Sequence, residues 1–253
     1  MNNQMPYALV WLPGWSFTCE AFSPLRSHLS VVAKHNEANF CSIATEEQLY
    51  ACAVEAVLKA RSELTSGTKL IAIGWSLGGM LAMRLAMEGL ADAVVSMSAS
   101  ARFVRDRNLS HHERSGGWDP RQLRRMQSAL VHDRPQVEAG FRALALSEAD
   151  ADRGLAIADG FSPVGAWSVD ALHAGLDLLL HTNFEPDLPK LQCPVLLIHG
   201  TADAICPAAA SLGIHANVPH SELFLIEGAG HAPFLSDPEA VARRIEGWLD
   251  ANF

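Results

Sequence analysis

Lys69-Leu70-Ile71-Ala72-Ile73-Gly74-Trp75-Ser76-Leu77-Gly78-Gly79-Met80-Leu81-Ala82-Met83-Arg84-Leu85-Ala86-Met87 reads as a strand, a sharp turn and a helix. The run 69–73 is continuously apolar after its lysine, as a buried strand is, and the run 79–87 carries a helical apolar face. Between them stands Gly-x-Ser-x-Gly, with Ser76 at the apex. The two flanking glycines have a steric purpose. A serine held in a strained turn keeps its hydroxyl exposed only if the positions two before and two after it lack side chains, so that strand and helix can pack closely. The stretch is therefore predicted to be a nucleophile elbow on an α/β sheet.

A serine hydroxyl is a poor nucleophile until a base takes its proton, so the elbow requires a carboxylate and a histidine later in the chain, in that order. Pro194-Val195-Leu196-Leu197-Ile198-His199-Gly200 reads as a buried parallel strand that runs into Thr201-Ala202-Asp203. Glu222-Leu223-Phe224-Leu225-Ile226 reads as the next strand and runs into Glu227-Gly228-Ala229-Gly230-His231. Groups just beyond the carboxyl ends of parallel strands converge on one edge of the sheet, so Ser76, Asp203 and His231 can meet. In that arrangement His231 serves as the base and Asp203 orients it. Asp177, Asp187, Glu227 and Asp237 are rival carboxylates, and His199, His215 and His220 rival histidines. The Gly-Thr-Ala-Asp context favours Asp203, and His199 reads as a hydrogen-bonded buried histidine.

Charge that develops on a tetrahedral intermediate needs two donors, one of them the amide following the nucleophile. Leu77 supplies that amide. Tyr7-Ala8-Leu9-Val10-Trp11-Leu12 reads as the first core strand, and the loop after it, Pro13-Gly14-Trp15-Ser16, offers the amide of Trp15.

The chain has 253 residues, 49% of them apolar, enough for one buried sheet with helices on its faces. Strand signals stop after Ala101. Arg121–Leu130 and Val137–Leu146 place apolar residues three and four apart, as amphipathic helices do. The expected organisation is a core of residues 1–101 and 183–253, with 102–182 inserted as a helical cap. Pro238 opens an amphipathic stretch to Leu249 that suits a closing helix.

The net charge of −9 argues against a general nucleic-acid surface. Arginines nevertheless gather in the cap: Arg102, Arg105, Arg107, Arg114, Arg121, Arg124, Arg125, Arg134, Arg142 and Arg153. Asp106, Asp119, Asp133, Glu138 and Asp152 are at hand to pair with them. Cys19, Cys41, Cys52, Cys193 and Cys206 are odd in number and contain no C-x-x-C, so free thiols are expected. His111-His112-Glu113 lacks the spacing of a helical zinc motif, and no Rossmann or Walker loop is present, so neither a metal nor a cofactor is expected. With no signal-peptide pattern and no apolar stretch near the ~20 residues of a membrane span, a cytoplasmic protein is expected; a monomer is the expected oligomeric state.

Four segments carry a family resemblance: Pro-Gly-Trp at 13–15, Gly-Trp-Ser-Leu-Gly-Gly at 74–79, Ala-Gly-Leu-Asp-Leu-Leu at 174–179, and Gly-His-Ala-Pro-Phe-Leu-Ser-Asp-Pro at 230–238. The chain resembles the α/β-hydrolase-fold serine esterases and, within them, the pimeloyl-acyl-carrier-protein methyl ester carboxylesterases of biotin synthesis. The resemblance implies Ser76 as nucleophile, Asp203 and His231 as its partners, and the Trp15 and Leu77 amides as the oxyanion hole. It also implies an acyl channel for which Trp15, Trp75, Leu77, Phe141 and Phe234 are candidate lining. An acidic acyl-carrier protein would dock on cap cations, with Arg121, Arg124, Arg125, Arg142 and Arg153 as candidates. Three departures from the family pattern stand in this sequence. The oxyanion loop opens Pro13-Gly14 where His-Gly is usual, Glu37 to Thr45 lacks the usual Asp-x-Pro-Gly-x-Gly-x-Ser loop, and only some cap arginines fall where docking wants them. The same triad also supports general esterase, thioesterase or carbon–carbon bond hydrolase chemistry, and a hydrolase-derived receptor is the non-catalytic alternative.

Overall fold

The computed structural model describes residues 6–105, 117–156 and 163–253. Six parallel strands form one sheet: β1 (Tyr7–Leu12), β2 (Ala33–Glu37), β3 (Lys69–Trp75), β4 (Ala93–Met97), β5 (Val195–Gly200) and β6 (Ser221–Ile226). Their spatial order is β2-β1-β3-β4-β5-β6. Composition follows position in the sheet. The inner strands β1, β3, β4 and β5 are buried throughout except for Lys69 at the lip of β3, and they are almost entirely apolar. The edge strands are half covered: β2 carries Lys34, His35, Asn36 and Glu37, and β6 exposes Leu225.

Nine helices surround the sheet among the described residues: α1 (Ser23–His28), α2 (Glu46–Ser62), α3 (Leu77–Met87), α4 (Pro120–Ala143), α5 (Glu148–Asp152), α6 (Val169–His181), α7 (Ala209–Asn217), α8 (Pro233–Ser236) and α9 (Pro238–Asn252). Helix α3 is buried on nearly every side, from Leu77 through Met83 and again at Leu85 and Ala86, because it lies centrally against β3 and β4. Helix α9 starts at Pro238, and Asp237 accepts the Ala240 amide at 2.9 Å, a side-chain cap that fixes its first turn.

The two helical runs expected at 121–130 and 137–146 are one kinked element. Helix α4 spans the first and most of the second and breaks direction at Asp133 (φ −148°, ψ 67°), two residues before Pro135. Proline lacks the amide that would continue the ladder, and its ring disfavours a helical residue before it, so a bend forms. The second half ends at Ala143, three residues earlier than the apolar spacing suggested. Between β4 and β5 the described chain contains α4, α5 and α6 and no strand; it departs and returns at an isolated antiparallel bridge between Arg102 and Asn183.

Candidate active site

The elbow is built as its glycines require. Ser76 sits at φ 57°, ψ −120°, a region that non-glycine residues rarely occupy, while its amide donates to Met97 O at 2.8 Å and its carbonyl accepts the Met80 amide at 3.1 Å. A Cβ on Gly74 would stand 2.1 Å from Gly78 O, and one on Gly78 only 2.0 Å from Leu12 O. Backbone occupies the space on both sides, so only glycine fits. The strained serine is held because both its neighbours and its own amide and carbonyl are committed.

Asp203 follows β5 and is buried with both carboxylate oxygens engaged. Oδ1 accepts the amides of Ile205 and Cys206, each at 2.8 Å. Oδ2 lies 2.7 Å from His231 Nδ1 and 3.1 Å from His199 Nε2. Burial alone would raise the Asp203 pKa, but the His231 charge and the hydrogen bonds from His199 and His231 outweigh it and hold the carboxyl well below the usual range. A carboxylate can only accept, so the His231 proton sits on Nδ1. The opposite nitrogen, Nε2, is buried without a hydrogen-bond partner among the described residues. A buried imidazole nitrogen without a protein partner calls for an explanation, and a base kept ready for an incoming proton is one.

His199 satisfies the buried-histidine reading and adds to it. Its Nδ1 is 2.6 Å from Ser211 Oγ, and its Nε2 reaches Cys206 O at 2.6 Å as well as Asp203 Oδ2. The other rivals are occupied elsewhere or exposed. Asp177 accepts from Gln127 Nε2 at 2.7 Å, Asp187 pairs with Lys190, Asp237 caps α9, His215 meets Ser221 Oγ at 2.8 Å, and Glu227 and His220 are exposed. Cys206 is no rival nucleophile, because burial, and then the Asp203 charge, push its thiol pKa up.

The residues named for the oxyanion hole and the channel cluster around the elbow. Gly14 lies against it: a Cβ there would be 3.4 Å from Ser76 Cβ and 3.2 Å from the Trp75 ring. The Trp15 indole is buried, donates to Leu172 O at 2.8 Å, and fills the space that Gly175 leaves open on α6, where a Cβ would come within 2.5 Å of Trp15 Cδ1. Phe141 packs edge-on to it at 4.9 Å. Trp75 lies beneath His231, donating to its carbonyl at 2.7 Å and packing against Phe17 and Phe234. Phe234 is fully buried, and Leu77 opens α3.

One of the arginines named for carrier docking requires a correction. Arg142 cannot be an exterior docking contact: it is 6% exposed and donates to the Ser16 carbonyl, with Phe17 under its guanidinium at 4.5 Å. Arg153 is half exposed but committed to Asp150 at 2.7 Å. Arg121, Arg124 and Arg125 are exposed on α4 and border one open groove with Ser128, Ala129 and His132. Arg102 lies 4.0 Å from Glu185, Arg105 pairs with Asp119, and Arg134 with Glu138. Arg107, Arg114 and His111-His112-Glu113 fall outside the described residues.

In the sequence, Asp150 and Ser16 have no assigned role and Glu138 stands only as a partner for an arginine, which is Arg134; all three are buried. Asp150 accepts the Gly230 amide at 2.8 Å beside His231, while Ser147 Oγ donates to Gly228 O at 2.6 Å. Burial works against the Asp150 charge, but amides of Ser147 and Gly230 lower its pKa below the usual value. Ser147-x-x-Asp150 is a capping box, and that pattern was the available signal. Among the described residues, no group of three or more His, Cys, Asp and Glu side chains could hold a metal ion, and no helix is long and apolar enough to cross a membrane.

A parallel sheet with a strained serine after one strand and a carboxylate–histidine pair after two others defines a class. Residues 9–244 match the alpha/beta hydrolase family, and the chain belongs to that family as an esterase-like hydrolase. Among curated proteins it is 29% identical over 255 residues, 96% of this chain and 95% of the other, to a pimeloyl-[acyl-carrier protein] methyl ester esterase of Xanthomonas campestris pv. campestris. It is 34% identical over 174 residues to the protein of that description from Nitrosomonas europaea, an alignment covering 66% of each chain. Among solved structures, a bromoperoxidase from Bacillus anthracis superposes with a TM-score of 0.82 at 18% identity, covering 98% of this chain and 93% of that one. An esterase from Exiguobacterium antarcticum gives 0.76 at 18% identity, over 96% and 92%. These two show the shared fold.

Proposed function

We propose that the chain is a serine carboxylesterase acting on the methyl ester of pimeloyl-acyl-carrier protein. The observation that carries the catalytic part is the Asp203–His231 pair, 2.7 Å apart at Nδ1, with the buried Nε2 left unpaired on a sheet edge that also presents Ser76. In this reading Ser76 Oγ attacks the ester carbonyl carbon while His231 Nε2 takes the hydroxyl proton. The oxyanion is met by the amides of Trp15 and Leu77. Collapse breaks the bond to the methoxy oxygen, which leaves as methanol with the proton from His231. Water then gives a proton to Nε2 and attacks the acyl-enzyme, and collapse returns the proton to Ser76 and releases the free carboxyl group. Asp203 keeps the Nδ1 proton in place and stabilises the transient imidazolium.

The substrate is supported by the relatives, of which the Xanthomonas protein aligns along 96% of the chain. Residues 102–182 act in this reading as a cap over the sheet edge, with the Arg102–Asn183 bridge at its base. A carrier protein is acidic and would be attracted by exposed cations. Arg121, Arg124 and Arg125 lie within about one helical turn of one another, exposed on α4, and are the remaining candidates.

The test is demethylation of pimeloyl-acyl-carrier-protein methyl ester beside hydrolysis of short p-nitrophenyl esters, with Ser76→Ala as control. Ser76-dependent release of methanol from the carrier-bound ester supports the proposal. Turnover of the small esters alone overturns the substrate assignment and leaves a general esterase. Activity retained in Ser76→Ala overturns the assignment of the nucleophile.

A further inference from the structure

Gly14 to Phe17 form a tight turn, closed by the Phe17 amide donating to Gly14 O at 3.1 Å. Its third residue, Ser16, has φ 68°. A turn with positive φ at the third position is normally given a glycine there, because a side chain crowds the backbone. The turn matters for a geometric reason. Gly14 O and the Trp15 amide belong to one planar peptide group and point in opposite directions. Holding Gly14 O on Phe17 therefore aims the Trp15 N–H out of the turn, on a loop that lies against Ser76.

A serine in a strained conformation must be held by something outside the turn, and Ser16 is held at two atoms by the second half of α4. Its hydroxyl donates to Glu138 Oε1 at 2.8 Å, and its carbonyl accepts from Arg142 Nη2. Arg142 Nε is also 3.3 Å from Ser16 Oγ. Glu138 is fully buried, and its second oxygen accepts Arg134 Nε at 2.8 Å; Arg134 in turn donates to Trp167 O. Burying charges in this way is a poor route to stability, since apolar side chains of similar size would do as well or better. Directed charge-assisted bonds do what apolar packing does not: they select one backbone conformation.

We infer that Glu138 and Arg142, acting through Ser16, are positioning residues that fix the Trp15 amide for the oxyanion from a helix outside the sheet. This rests on the proposed role of the Trp15 amide.

The experiment measures kcat, KM and the inhibition constant of a trifluoromethyl ketone, which forms a tetrahedral adduct on serine, for Glu138→Gln, Arg142→Lys and Ser16→Ala. Active sites are titrated with an organophosphate so that misfolded protein is not counted. Removing an oxyanion donor outright costs ~100- to 1000-fold in kcat, so a displaced one is expected to cost about 10- to 100-fold. The ketone should weaken by a similar factor, while KM stays within about threefold, because ground-state binding does not use the oxyanion amide. Ser16→Gly placed in the Glu138→Gln background should restore much of the loss, since glycine adopts the turn without bracing. A packing role would not be rescued by removing a further side chain. Unchanged kcat and ketone affinity in Glu138→Gln overturn the inference, as does a loss of kcat without loss of ketone affinity. If Glu138→Gln does not fold, Arg142→Lys, which keeps the charge but not the fork, decides on the same two constants. Failure of the catalytic reading itself would appear separately, as activity surviving in Ser76→Ala.

Discussion

His199 Nε2 lies 3.1 Å from Asp203 Oδ2, the same oxygen that His231 Nδ1 reaches at 2.7 Å. One carboxylate oxygen therefore serves two buried imidazoles. The other oxygen takes two backbone amides, so the carboxylate cannot rotate away from His231. His199→Phe removes its contact with the Asp203 carboxylate, a bond to a charged group worth ~1.5–3 kcal/mol, along with its bonds to Ser211 Oγ and Cys206 O, and leaves the other three partners of the carboxylate in place. The expected loss in kcat is about tenfold, corresponding to ~1.4 kcal/mol of transition-state stabilisation, with KM within about twofold. Steady-state kinetics on a p-nitrophenyl ester checks this. A loss as large as that of His231→Ala would make His199 the base.

Ser76 and His231 act as a unit in the proposed chemistry, so their removal should not be additive. Ser76→Ala is expected to lower kcat by ~10⁴-fold or more, and His231→Ala by a similar factor. The double variant should be no slower than either single one. A loss equal to the product of the two single losses would mean that the residues contribute independently, against the proposed proton transfer. Ser76→Ala should also melt within a few degrees of the wild-type temperature, because alanine keeps the Cβ and the same strained backbone and loses only a hydroxyl; circular dichroism against temperature checks that.

Much of this architecture was legible because its signals are local. Lys69 to Met87 announces a buried strand, a glycine-flanked serine and a helix within one short span, and the strands before Asp203 and His231 are equally plain. The half-exposed edge strand Ala33–Glu37 was not legible, since Lys34, His35, Asn36 and Glu37 carry no buried-strand pattern. The kink at Asp133 hides behind two runs of sound helical spacing, and only Pro135 hints at it. Arg142 was misread for a more general reason. A cation on an amphipathic helix looks exposed unless its partner is known, and here the partner is a backbone carbonyl 126 positions away in sequence. Asp150 and Glu138 are half the same case: each has local donors, Ser147 and Arg153 for one and Arg134 for the other, but the bonds that tie them to the site come from Gly230 and Ser16 on distant loops. Periodicity reports which face is apolar, not which polar group that face will meet.

Asp203 also sets a pH dependence of stability. Its folded pKa lies below the unfolded value of about 3.9, so its contribution is fully present above that pH and is lost as pH falls from there through the folded value. Urea midpoints measured between about pH 6 and pH 2.5 should therefore fall on the acid side. In Asp203→Asn the midpoint should start lower and fall less steeply over that window. Parallel profiles for the two proteins would show that Asp203 is not among the carboxylates responsible.

Gly78 is where the elbow tolerates least. An added methyl would stand 2.0 Å from Leu12 O and 2.7 Å from Pro13 O, both backbone atoms of the first strand and the loop after it. Neither can step aside as a side-chain tip could, so Gly78→Ala must move α3 away from β1. Overpacking commonly costs ~1–3 kcal/mol, and this site belongs at or beyond the top of that range. Thermal unfolding of Gly78→Ala should show a loss of at least several degrees, against a small change for Gly140→Ala, where nothing lies within 4 Å of the added methyl. Equal melting temperatures for the two variants would contradict the close approach.

Gly175 tests how the Trp15 loop depends on the helix beside it. A methyl there would lie 2.5 Å from Trp15 Cδ1 and 3.3 Å from Leu77 Cδ1, touching both residues whose amides are proposed for the oxyanion. Trp15 has little room to retreat, because its indole is bonded to Leu172 O on one side and packed against Phe141 on the other. Gly175→Ala is thus expected to cost ~1–3 kcal/mol in stability. It should also lower kcat by about an order of magnitude, because a shifted indole carries its backbone with it and catalysis is sensitive to small misplacements. Replacing Trp15 by Phe in the same background removes the crowded five-membered ring and should recover part of the stability. If Gly175→Ala lowers the melting temperature but leaves kcat at the wild-type value, the indole adjusts independently of its amide, and the link from α6 to the oxyanion loop is absent.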